Sequence, residues 1–180
     1  MKAISISDIF KNSFVLTYII LVMVNTVGRN VSAAIKSYTA GFLDADGAIM
    51  APVEHSRDSK FQFRPRLVIR ITQGNREILD SLAEDFGIGQ VVRNMACYDW
   101  IIRDQSHVKW LLESLLPYIR VKRRQATVGL QILSLFPISS KQDLLKVASL
   151  ADTLSSYNVR SKLQRHSYAL KVQESFSRND

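Results

Sequence analysis

The spacing of apolar and polar residues changes period several times along this chain, and each change marks an element. Over residues 33–44 small and apolar residues fall at helical spacing, with Asn30 or Ser32 placed to cap the first turn. From Gly47 the period becomes two: Ile49, Ala51 and Val53 alternate with Ala48, Met50, Pro52 and Glu54. After polar Ser56-Arg57-Asp58-Ser59 the alternation resumes. Phe61, Phe63, Leu67, Ile69 and Ile71 fall on one face. Gln62, Arg64, Arg66, Arg70 and Thr72 fall on the other, with Val68 the apolar exception. Period two predicts a long antiparallel hairpin with one face on a core and one face basic. Pro52 and Pro65 imply edges or bulges in it, because proline cannot donate to a ladder.

Helical spacing returns at Asn75. Ile78, Leu79, Leu82, Ala83 and Phe86 make an apolar stripe, and Gly87 stands where a C-terminal cap would. A second hairpin is predicted over 90–103, turning near 94–97. Ser106 can cap the next helix, whose stripe of Val108, Leu111, Leu112, Leu115 and Leu116 stops at Pro117. Helices are expected over 123–135 and 140–157, with another after His166. Trp100 and Trp110 sit in apolar patterns and are read as core. Helix, two strands, helix, two strands, helix and further helices make an α+β fold, αββαββα with a curved antiparallel sheet and additional C-terminal helices.

The first 31 residues stand apart from the domain expected over 32–180. Residues 14–24 are a nearly unbroken apolar run, shorter than the roughly 20 residues a membrane-spanning helix needs. The length suits a signal-peptide core with a weak cleavage-like site at Val31-Ser32-Ala33, or a buried element. At 180 residues and 47% hydrophobic content the chain suits one globular domain with a sizeable core. Lys and Arg number 24 against 16 Asp and Glu, a net charge of +8, which favours a polyanionic partner. Cys97 is the only cysteine, so an internal disulfide is excluded and a reducing, intracellular compartment is expected.

Charge directs attention to Asp44-Ala45-Asp46-Gly47, which ends the first helix. Acid is unusual there, since the macrodipole is already negative at a helix C-terminus. The pair suggests a cation, and an ordinary Asp-Gly turn is the plain alternative. An EF-hand is excluded: counted from Asp44, positions five, six and twelve are Ala48, Ile49 and His55, not an oxygen ligand, glycine and Glu. His55, His107, His166 and Cys97 lack zinc-ligand spacing, and no phosphate loop or nucleophile elbow is present.

Tyr38-Thr39-Ala40-Gly41-Phe42-Leu43-Asp44-Ala45-Asp46-Gly47 resembles the signature of the LAGLIDADG homing endonucleases. The basic hairpin, Ile71-Thr72-Gln73 at its end, the second hairpin, and Val121-Lys122-Arg123-Arg124 follow in the order of the single-motif, intron-encoded members typified by chloroplast enzymes. The likeness covers roughly residues 37–165. An apolar leader is then also explained as residual host-gene coding sequence. The resemblance implies a homodimer that hydrolyses both strands of a long, pseudo-palindromic DNA target and leaves short 3′ overhangs. It implies Mg2+ (or Mn2+), held by Asp46 and by the backbone carbonyl of Ala45. Gln73 corresponds to a water-positioning glutamine, Lys122 to the lysine of the catalytic pocket, and Arg76 to a further basic group. Small residues Ala40, Gly41 and Ala45 would let two motif helices pack closely. Arg64, Arg66, Arg70, Asn94, Asp99 and Arg103 are candidate base contacts, since a two-stranded ribbon fits the major groove. Arg160, Lys162 and Arg165 are expected on phosphates. The compartment would be one that holds DNA, an organelle or a prokaryotic cytoplasm. A non-cleaving DNA- or RNA-binding relative, such as an intron-splicing maturase, is the alternative.

Overall fold

The computed structural model describes residues 31–158 and 167–179; the apolar run at 14–24 and Arg160, Lys162 and Arg165 lie outside them. Ser32 caps α1 (Ala33–Asp46), its hydroxyl accepting from the Ile35 N–H at 3.3 Å. The helix runs two residues past the expected end, so both acids belong to its last turn. Gly47 then starts β1 (Gly47–Met50) with no intervening loop. A Cβ on Gly47 would stand 2.6 Å from both the side chain and the carbonyl of Leu43, so this helix-to-strand junction has room only for glycine.

The strands that follow are β2 (Val53–His55), β3 (Phe63–Pro65) and β4 (Val68–Gln73). They form the predicted hairpin in one unbroken register, from Gly47 opposite Ile71 to His55 opposite Phe63. The ladder nevertheless divides into two sheets at the prolines. The Arg66 N–H donates to the Pro52 carbonyl at 3.1 Å, and Pro52 has no N–H to return the bond. β2 and β3 therefore project as a separate two-stranded arm. The remaining strands, with β5 (Gln90–Asn94) and β6 (Cys97–Ile102), make a four-stranded antiparallel sheet in the order β1-β4-β6-β5.

One face of that sheet supplies the core. Ile49, Leu67, Ile69, Ile71, Trp100 and Ile102 are fully buried, and each such side chain stabilises the fold by about 1.5–3 kcal/mol. Helices α2 (Arg76–Phe86) and α3 (Gln105–Leu115) bring Leu79, Leu82, Phe86, Leu111 and Leu112 against it. Trp100 lies 5.8 Å from the Phe86 ring, and its indole N–H donates to the Ile88 carbonyl at 2.9 Å. Trp110 also meets Phe86 at 5.8 Å; it is partly buried and packs against the core, whereas Trp100 is in it as read. Gly87 ends α2 in the left-handed conformation, as expected.

The α3 cap is Asp104, not Ser106: its carboxylate accepts the His107 N–H at 2.9 Å and a hydrogen bond from Ser106, which lies inside the helix. Helices α4 (Arg123–Ser134), α5 (Lys141–Asn158) and α6 (Tyr168–Asn179) follow close to the expected bounds. Asp152 on α5 accepts the first N–H groups of α6, from Tyr168 and Ala169. No helix among the described residues is long and apolar enough to cross a membrane.

Candidate active site and nucleic-acid interface

The two acids at the end of α1 do different work. Residues two apart on a helix do not share a face. Asp44 turns toward the chain that enters α4: its carboxylate accepts the backbone N–H groups of Arg120, Val121 and Lys122 at 2.8, 3.2 and 2.9 Å. The Lys122 ammonium donates to the Asp44 carbonyl. That carbonyl is among the last four of the helix, which have no intrahelical partner, and a cation there opposes the negative end of the macrodipole. Asp44 thus fixes Lys122 through both its carboxylate and its backbone.

Asp46 turns the other way and is exposed. Its Oδ2 accepts from Gln73 Nε2 at 2.6 Å. Gln73 closes β4, and antiparallel pairing of β1 with β4 carries it back beside the end of α1. Asp46, Gln73 and Lys122 line one polar concavity with Arg70, Thr72 and Gln125. The three residues predicted to act together are therefore brought together from three elements. Arg76 is not: it pairs with Asp80 at 3.0 Å and lies over the Tyr98 ring, outside that concavity.

The sheet face opposite the core carries the cations. Arg64, Arg66 and Arg70 share it by alternation, running from the arm to the polar concavity. Arg66 is ion-paired with Glu54 on the neighbouring strand. Arg103 follows β6 and is exposed. Asp99 departs from the expectation that it reads a base. It is 3% exposed and spends its carboxylate internally. Oδ1 accepts from Thr72 at 2.6 Å, and Oδ2 accepts from Asn94 Nδ2 at 2.9 Å and faces Arg70 Nη1 at 3.7 Å. Its role in the structure is to orient Arg70 and Asn94, because a buried carboxylate must be paired.

On α1, Ala40 is fully buried in the core and does not face outward as expected. Gly41 and Ala45 are exposed, as is Tyr38 at 51%, and a Cβ on Gly41 would meet nothing within 4 Å. The outward stripe is therefore Tyr38, Gly41 and Ala45.

Sequence reading missed Asp44 as the anchor of Lys122. It also missed the side chains that the C-terminal helices deliver. Tyr157 and Asn158 from α5 line the same concavity, and Asn158 Nδ2 donates to the Ile49 carbonyl at 2.6 Å. The signal for Asp44 was present as the second acid of the motif; nothing local marks Asn158.

The family model of the LAGLIDADG endonuclease matches residues 39–122, from the motif helix to Lys122. DNA endonuclease I-CreI of Chlamydomonas reinhardtii is 30% identical over 125 residues, 67% of this chain and 77% of the relative. DNA endonuclease I-CvuI of Chlorella vulgaris is 30% identical over 144 residues, 72% and 89% of the two chains. The crystal structure of I-CvuI in complex with its target in the presence of calcium superposes with a TM-score of 0.73 at 29% identity, covering 79% of this chain and 92% of that one. The archaeal intron-encoded I-Vdi141I, complexed with DNA, shares the fold at 21% identity and a TM-score of 0.68, with 79% and 96% covered. With the motif occurring once, on a helix that ends in Asp46 beside Gln73 and Lys122, this chain belongs to the LAGLIDADG homing endonuclease family, in its single-motif form.

Proposed function

We propose that this protein is a site-specific homing endonuclease that acts as a homodimer and cleaves both strands of a long, pseudo-palindromic DNA duplex. The observation that carries the reading is the meeting of Asp46, Gln73 and Lys122 in one concavity at the end of a basic sheet face.

The donors fit a hard divalent cation such as Mg2+. The Asp46 carboxylate and the Ala45 carbonyl, one of the last four of α1 and so without an intrahelical partner, would be oxygen ligands. Among the described residues no cluster of three or more His, Cys, Asp or Glu side chains could hold a metal within one chain. Mg2+ tolerates that, since it is commonly bound by one or two carboxylates together with substrate phosphates. When bound, the metal would lower the pKa of a water and offset charge on the reacting phosphate. Gln73 holds the Asp46 carboxylate in place, and its carboxamide still has a carbonyl oxygen with which to orient the attacking water. Lys122 supplies fixed positive charge beside the phosphate as negative charge develops.

One chain carries one such aspartate. Packing of two α1 helices through Gly41 and Ala45 would set two Asp46 side chains side by side, one for each strand, and the twofold symmetry would be mirrored in the target. Arg64, Arg66, Arg70, Asn94 and Arg103 would face the bases, and Arg160, Lys162 and Arg165 the phosphates.

A randomised duplex library incubated with the protein and Mg2+, followed by sequencing of cut ends, tests activity, symmetry and overhang together. Cut ends should share one near-palindromic sequence with short 3′ overhangs; binding in Ca2+ without cutting in Mg2+ defeats the nuclease reading. Asp46→Asn should abolish cleavage and leave binding in Ca2+ within about threefold, because it removes a metal ligand and not the reading surface.

A further inference from the structure

We propose that Gln105 is a positioning residue for target readout: its side chain ties down the root of the arm formed by β2 and β3, and so fixes where Arg64 and Arg66 reach the DNA. The inference rests on the DNA-cleaving reading above.

Strand β4 is paired with β6 from Gln73 opposite Tyr98 to Ile69 opposite Ile102. On the same register the position opposite Leu67 is Asp104, which has left the sheet to cap α3. The last backbone groups before the arm would therefore lack a strand partner. Gln105 supplies one with its side chain. Its Oε1 accepts the Leu67 N–H at 2.8 Å, and its Nε2 donates to the Leu67 carbonyl at 3.0 Å. Two opposed bonds to one residue are what a neighbouring strand makes at a hydrogen-bonded pair. Nε2 also donates to the Arg103 carbonyl at 2.6 Å, which joins the clamp to the end of β6.

The clamp sits where the hairpin is weakest. Next to it, Pro52 forfeits one bond of the Pro52–Arg66 pair, and the arm beyond has only two strands, which are marginal alone. Elsewhere the arm is held by Val53, buried in the core, by Phe61 and Phe63 packed against it, and at the tip by Lys60 Nζ donating to the Ser139 carbonyl at 3.1 Å. With Gln105 in place the arm is an extension of the rigid sheet. Without it the root of the arm loses its lateral tie to β6 at Leu67, and only side-chain contacts set its angle to the sheet. Arg64 and Arg66 would swing with the arm, whereas Arg70 and the catalytic concavity, on the four-stranded sheet, would not. Discrimination by a bidentate arginine depends on holding its fork in one geometry.

The test uses the full chain and two duplex libraries built on the target found for the wild type. One randomises the outer base pairs beneath the arms, the other the inner base pairs beneath Arg70 and the cleavage site. Gln105→Leu should lower sequence preference in the outer library by about 3–10-fold, the effect of losing one or two hydrogen bonds. Preference in the inner library, and single-turnover cleavage of the intact target, should stay within about twofold of wild type on the same reasoning. Equal loss in both libraries, or undiminished outer preference, overturns the proposal. If Gln105→Leu does not fold, Gln105→Met keeps the unbranched stem, and the same two outcomes decide. Wild-type protein that selects no sequence would defeat the nuclease reading instead, so the two failures are distinct.

Discussion

Asp44 and Asp46 are chemically identical, two residues apart, and assigned opposite tasks by the fold. Asp46 stays exposed and accepts from Gln73, whereas Asp44 accepts three backbone N–H groups from the segment that carries Lys122. Hydrogen bonds to a charged acceptor are worth about 1.5–3 kcal/mol when lost from a partly buried site. Asp44→Ala should therefore lower unfolding free energy by about 1–3 kcal/mol and slow single-turnover cleavage while leaving DNA binding in Ca2+ near wild type. Denaturant melts and a cleavage time course read the two effects. A variant with wild-type stability and rate would show that Lys122 is held without it. Asp99 teaches the same lesson: by alternation it belongs to the reading face, yet it is buried and bonded to Thr72, Asn94 and Arg70. Sequence located these residues but could not say which acid would be consumed internally, because that depends on partners far away in the chain.

At the scale of elements, most boundaries were legible. The long hairpin keeps the register implied by its alternation, and Pro52 and Pro65 mark where it splits. The misread start of α3 has a simple cause. Asp104 and Ser106 are both good caps, and the carboxylate wins by accepting from His107 and Ser106 together. Those bonds, the Ser106 hydroxyl first and the His107 N–H second, hold the Asp104 carboxyl below its ordinary value. A carboxyl lowered in the folded state adds stability that is complete above its unfolded pKa and disappears as pH falls through the folded one. Asp104→Ala should thus cost about 0.5–2 kcal/mol at pH 7. The difference from wild type should shrink steadily as pH drops below about 4. Urea melts at pH 7 and pH 3 check this; a difference that grows toward acid would contradict the assigned cap.

At the scale of the whole molecule, the proposed homodimer would dock through the exposed stripe Tyr38, Gly41 and Ala45. Gly41 has open space around its missing Cβ in one chain, so Gly41→Leu should fold normally. Added bulk between close-packed helices costs about 1–3 kcal/mol, roughly 5- to 150-fold in dimer dissociation constant. Sedimentation should then show monomer at concentrations where wild type is dimeric, with double-strand cleavage reduced in parallel. A variant that remains dimeric would move the interface elsewhere.

The sequence by itself determined the elements, their order, the basic face and the three residues of the candidate site. Period, caps and a spaced motif are local or one-dimensional properties, and the chain carries them openly. Tertiary structure alone decided that Ala40 faces the core, that Asp44 anchors Lys122, that Asp99 orients its neighbours, and that Gln105 stands in for a missing strand. Each of these depends on which groups antiparallel pairing and helix packing bring within about 3 Å of one another, and that distance is not encoded at any single position.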